Sequence, residues 1–180
     1  MQIPNRLLLG TATALLILAG GNLAAWAYTN PSTGVYQTNG SASDVQAAIN
    51  AASNGHKIIV PAGSFSWSGG ISISKGIWLA GAGKTTSGSI ITSGKVTITK
   101  NANAPVRVSG LRFTGSDVHM SIGGSASARA FVIQNNYFYS NGSDFIDMGA
   151  NGGLFDHNDF YMPLSGGGAP DVMSIHPGET

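Results

Sequence analysis

The sequence predicts an all-β fold, a β-solenoid of stacked parallel coils preceded by one short α-helix. Three observations carry this prediction. Gly supplies 26 of the 180 residues and charged residues only 9%, so the chain turns often and shows a neutral surface of hydroxyls and amides. From Lys57 onward the apolar residues come in short β-branched runs, such as Ile58-Ile59-Val60, Ile71-Ser-Ile73, Val96-Thr-Ile98 and Val106-Arg-Val108, parted by Gly, Ser and Asn. These runs also recur. Ile71-Ser-Ile73-Ser-Lys75 matches Val96-Thr-Ile98-Thr-Lys100 at an offset of 25, and Ile77-Trp-Leu79-Ala-Gly81 matches Val106-Arg-Val108-Ser-Gly110 at 29. Gly110-Leu-Arg-Phe113, Asn135-Asn-Tyr-Phe138 and His157-Asn-Asp-Phe160 follow at offsets of 25 and 22. A period of 20 to 30 residues marks a unit that buries its inner face only by stacking on its neighbours. Phe113, Phe138 and Phe160 are expected to stack in that core. A leucine-rich horseshoe would repeat Leu at fixed positions, and a sandwich would show no aligned repeat.

The elements follow in order. Residues 1–27 read as an export signal: Arg6 gives the positive start, Leu7 to Ala19 the apolar stretch, and Ala25-Trp26-Ala27 a small-x-small cleavage site. The apolar stretch is short and Gly-interrupted, so no stable membrane insertion is expected after cleavage. Residues 28–42, with Pro31, Gly34 and Asn39-Gly40, read as a linker or extended lead-in. A capping helix is expected over 43–53, with Ser43 as N-cap, Gln46 as its capping-box partner, and Val45, Ala48, Ile49 and Ala52 on one face. Asn54-Gly55 ends it. The coils occupy 57–180, and the short tail after Ile175 leaves the last coil bare, so either further coils downstream, the preferred explanation, or a capping partner chain is expected.

Composition excludes several functions. A formal charge of +1 argues against nucleic-acid binding, and Cys 0 excludes a disulfide scaffold. Gly81-Ala-Gly83-Lys84-Thr85 looks like the end of a phosphate loop, but Trp78 stands where the first Gly belongs and a strand follows instead of a helix. No nucleotide or redox cofactor is expected. Gly110 and Gly123-Gly124 are read as corners with positive φ.

All nine Lys and Arg lie at or before Arg129, whereas six of the eight acids lie after it. Asp117, Asp144 and Asp171 recur at an offset of 27, which would place carboxylates about 5 Å apart on neighbouring coils. Ca²⁺ held by Asp144 and Asp171 would relieve the repulsion. Turn formation by Ser-Asp and Pro-Asp is the preferred explanation. Strand alternation turns Val118, Met120 and Ile122 inward and His119, Asp147 and Ser174 outward in one column, with His119 and Asp147 as candidate acid–base groups. Asp156-His157-Asn158-Asp159, between Phe155 and Phe160, is the densest polar stretch. Asp156, His157 and Asp159 are candidate catalytic residues, and Asn136, Tyr137, Asn158 and Tyr161 candidate substrate-binding residues. Asn136 and Asn158 also fit a structural role, bonding backbone of an adjacent coil at a corner.

Asp44-Val-Gln-Ala-Ala-Ile-Asn-Ala-Ala52, Ile58-Ile-Val-Pro-Ala-Gly63 and Lys75-Gly-Ile-Trp-Leu-Ala-Gly-Ala-Gly83 resemble the N-terminal coils of pectate-lyase-like right-handed parallel β-helix proteins. Asn135-Asn-Tyr-Phe138 and Gly153-Leu-Phe-Asp-His-Asn-Asp-Phe160 resemble their later coils. The resemblance covers roughly residues 43 to 177. It implies a right-handed helix, N-terminal capping by the α-helix, and a secreted, periplasmic or extracellular protein whose partner is a polysaccharide. It does not imply one activity. Family lyases take the sugar proton with a basic residue, yet 130–180 hold no Lys or Arg, and the hydrolases' adjacent Asp pair and Gly-His-Gly are absent. The expected function is cleavage of an extended, uronate-rich polymer by a polysaccharide lyase or glycoside hydrolase. The alternative is a non-catalytic polysaccharide-binding scaffold or adhesin; a viral tail spike is disfavoured because it needs no export signal.

Overall fold

The computed structural model describes residues 28–100, 104–115, 119–124, 130–140, 145–149 and 152–163, and the backbone of 173–175. It is a parallel β-solenoid of five coils with three strands per coil. The first coil holds β3 (Lys57–Val60), β4 (Gly63–Ser66) and β5 (Ile71–Ile73). The second holds β6 (Trp78–Gly81), β7 (Ser89–Ser93) and β8 (Val96–Thr99), and the third β9 (Arg107–Ser109), β10 (Leu111–Gly115) and β11 (Met120–Gly123). The fourth holds β12 (Phe131–Gln134), β13 (Tyr137–Ser140) and β14 (Ile146–Met148), and the fifth β15 (Gly153–Asp156), β16 (Asp159–Tyr161) and β17 (Met173–Ile175). The first strands of all coils form one sheet, the second strands another and the third strands a third.

The register matches the repeats read from the sequence. Ile71 pairs with Val96, Leu79 with Val108, Phe113 with Phe138 and Phe138 with Phe160. Inward positions alternate with outward ones, so Ile58, Leu79, Val108 and Ile133 form one buried row and Ile73, Ile98 and Ile122 another. The three Phe rings stack face to face, with centroids 5.1 and 5.0 Å apart.

The segment read as a linker or lead-in contains two strands. β1 (Thr29–Ser32) and β2 (Val35–Gln37) form an antiparallel hairpin around Gly34, and β2 pairs in parallel with β3. The hairpin thus extends the first sheet by two strands. The helix α1 spans Ala42–Ala51 and its N-cap is Ser41, in place of Ser43. The shift has a local cause: Ser41 Oγ accepts from Asp44 N–H, and Asp44 Oδ2 accepts from Asn39 N–H. Gln46 is thereby released from a capping box. Its amide donates to Ser72 C=O and accepts from Ser72 N–H, which satisfies the open edge of β5. Lys75 Nζ donates to the carbonyls of Ile49, Asn50 and Ala52 and so closes the helix C-terminus. Lys75→Met is expected to cost about 1–2 kcal/mol by leaving those carbonyls unserved, read from urea unfolding; a change below a few tenths would contradict this account of the cap.

Gly110 and Gly124 have positive φ, 71° and 110°, as expected of corners, while Gly123 closes strand β11. Lys84 is followed by β7 and not by a helix, which removes the phosphate-loop geometry. Residues 1–27, read as an export signal, and Asp117, Asp144 and Asp171 lie outside the described residues. No described helix is long and apolar enough to cross a membrane.

Candidate functional site

The corner between the first and second sheets turns through a left-handed residue in three successive coils: Gly110 at φ 71°, Asn135 at 52° and His157 at 53°. Asn is among the residues that tolerate this conformation best. The next position carries a ladder of side-chain amides. Asn136 Oδ1 accepts from Leu111 N–H and its Nδ2 donates to Val108 C=O. Asn158 Oδ1 accepts from Asn136 N–H and its Nδ2 donates to Ile133 C=O. Asn136 is fully buried and Asn158 half-buried. Both amides are spent on backbone one coil earlier, so the structure gives these candidate substrate-binding residues the structural role.

The ladder leaves the outer side of the second sheet to other groups. Arg112, Tyr137 and Asp159 occupy equivalent places in successive strands, and Tyr139 and Tyr161 occupy another pair. The Arg112 guanidinium lies 3.8 Å from the centre of the Tyr137 ring. Tyr139 and Tyr161 stack at 5.9 Å with 18° between planes, and Tyr161 is 53% exposed. Lys84 reaches along the solenoid from the second coil. Its Nζ lies 2.9 Å from Asp159 Oδ2, donates to His157 C=O at 2.9 Å, and its own carbonyl accepts from Arg112. Asp156 pairs with exposed His157 through Nδ1. A surface ion pair such as Lys84–Asp159 contributes about 0–1 kcal/mol to stability, so its placement is the more informative property. Lys84 thus brings to the acidic coil a basic group that 130–180 lack.

His119 requires a correction. It is buried, at 3% exposure, among the rings of Phe113, Phe138 and Phe145, with Nε2 2.6 Å from Tyr139 C=O. The outward place in its coil belongs to Ser121, and the column runs Ser72, Thr97, Ser121, Asp147, with Ser174 the register partner of Asp147 on the last strand. Met120 and Ile122 do face inward. Alternation fails at His119 because the backbone kinks there: His119 N–H and Met120 N–H both donate to Phe145 C=O. The five candidate catalytic residues therefore occupy three places. Asp156, His157 and Asp159 meet at the corner, Asp147 lies on the third sheet, and His119 is in the core. Asp144 and Asp171 lie outside the described residues, among which no group of three or more His, Asp or Glu is placed to hold a metal.

Comparison with protein-family models, with curated proteins and with solved structures finds no match.

Proposed function

We propose that the protein is an extracellular polysaccharide-binding β-solenoid that holds an extended glycan along the outer side of its second sheet. One observation carries this reading: Tyr137 and Tyr139 on β13 and Tyr161 on the neighbouring strand β16 stand beside Arg112, Lys84 and Asp159. Tyrosine offers an apolar ring face to the C–H side of a sugar and a hydroxyl to its polar rim. The exposed ring of Tyr161, stacked on Tyr139, makes that offer at the surface of the second sheet. Among the described residues Arg112 makes one long side-chain bond, to Lys84 C=O, and its other donors remain for a ligand. Binding is preferred to cleavage because His119 and Asp147 stand away from the corner carboxylates.

The test is retention of the protein by a panel of neutral and uronate polymers, with and without Ca²⁺, followed by assays for new reducing ends and for the ultraviolet absorbance of unsaturated ends. Retention without product is the expected result. Cleavage is the second reading, favoured by the Lys84–Asp159 contact, which sets an amine beside a carboxylate. Product that disappears in Lys84→Met would replace the first reading by the second.

A further inference from the structure

An open cavity of about 260 Å³ lies at the opposite corner, between the second and third sheets of the first two coils. Its shape is set by two glycines. Gly70 at φ 67° donates to Trp67 C=O, and Gly94 at φ 81° lies so close to the Trp67 carbonyl that an added Cβ would come within 1.6 Å of it. Trp67 is itself fully buried and tied through Nε1 to Gly40 C=O. One wall is therefore rigid and bare of side chains, as where backbone approaches a ligand closely.

Apart from Ile71, the other side chains that line the cavity are polar. Among the described residues, nothing bonds to the Lys95 ammonium or to the hydroxyls of Ser68, Ser72 and Thr97. Ser72 and Thr97 are register partners at the head of the outward third-sheet column, and the Ser72 backbone is fixed by Gln46. None of the lining residues is acidic. Three hydroxyls, one cation and a glycine floor in so small a space match a ligand with several hydroxyls and one negative charge. The geometry points to a binding site here for a single sugar ring bearing one anionic substituent, a carboxylate or a phosphate, independent of the polymer face on the second sheet.

The test is a titration of the ¹⁵N-labelled full chain with glucuronate, glucose 6-phosphate, glucose and inorganic phosphate, following the amide signals of Gly69, Gly70 and Gly94. Saturating shifts are expected with at least one of the sugar anions, with glucose and inorganic phosphate each weaker by about fivefold or more. Lys95→Gln should bring the sugar anion to the level of glucose, Thr97→Val should weaken both sugars, and Tyr161→Ala should leave the titration unchanged. A preference between the two sugar anions identifies the substituent. The proposal is overturned if inorganic phosphate or glucose binds as tightly as the sugar anion, if Lys95→Gln has no effect, or if no signal of the three glycines saturates.

Discussion

Phe138→Ala is expected to lower the unfolding free energy by about 3–5 kcal/mol. The ring is fully buried and stacks on Phe113 at 5.1 Å and on Phe160 at 5.0 Å, with 4° and 9° between planes. Its removal breaks both contacts at once and opens a void between the third and fifth coils. In a stacked repeat protein each coil is stabilised chiefly by its neighbours, so the loss should be local. Hydrogen exchange should show β13 and β16 losing protection while β3 and β6 keep theirs. Urea unfolding gives the magnitude; a loss below about 1 kcal/mol would mean that the aromatic stack does not hold these coils together.

Asn136→Ala should cost about 2–4 kcal/mol, although no hydrophobic contact is removed. Two backbone groups, Leu111 N–H and Val108 C=O, would lose their amide partners inside the corner. Asn136→Asp should not rescue stability, because a carboxylate cannot donate to Val108 C=O and would carry charge into a buried place. Asn158→Ala should cost less, since Asn158 is only half-buried and water can reach the groups it leaves. Thermal melts check the order: a loss of this size lowers the midpoint by roughly 5–15 °C. Equal effects of the two alanines would contradict the burial difference between the rungs.

Much of the solenoid was legible because its order is periodic. Ile71, Val96, Leu79, Val108 and the three Phe residues pair as the repeats align them, since one inner row imposes the same residue type on each coil. The same alignment places Arg112, Tyr137 and Asp159 at one position, so the second-sheet face is partly visible in the sequence. The hairpin of β1 and β2 was not, because two strands of four and three residues carry no alternation and are formed by pairing with β3. His119 was misdirected by a kink that uses one residue without reversing sides. The Lys84–Asp159 contact joins residues three coils apart in the stack, and no local pattern encodes it. The helix start moved from Ser43 to Ser41 because a turn at Asn39 supplied the second cap partner.

The most direct test of the polysaccharide-binding account is titration calorimetry of wild type and Tyr161→Ala with a polymer that retains the protein. Tyr161 is exposed and, among the described residues, its ring stacks on Tyr139 alone, so its removal should leave the melting temperature nearly unchanged. The account predicts binding weakened by about tenfold, or 1.4 kcal/mol. Unchanged affinity in a folded Tyr161→Ala variant would contradict it and move the glycan off the second sheet.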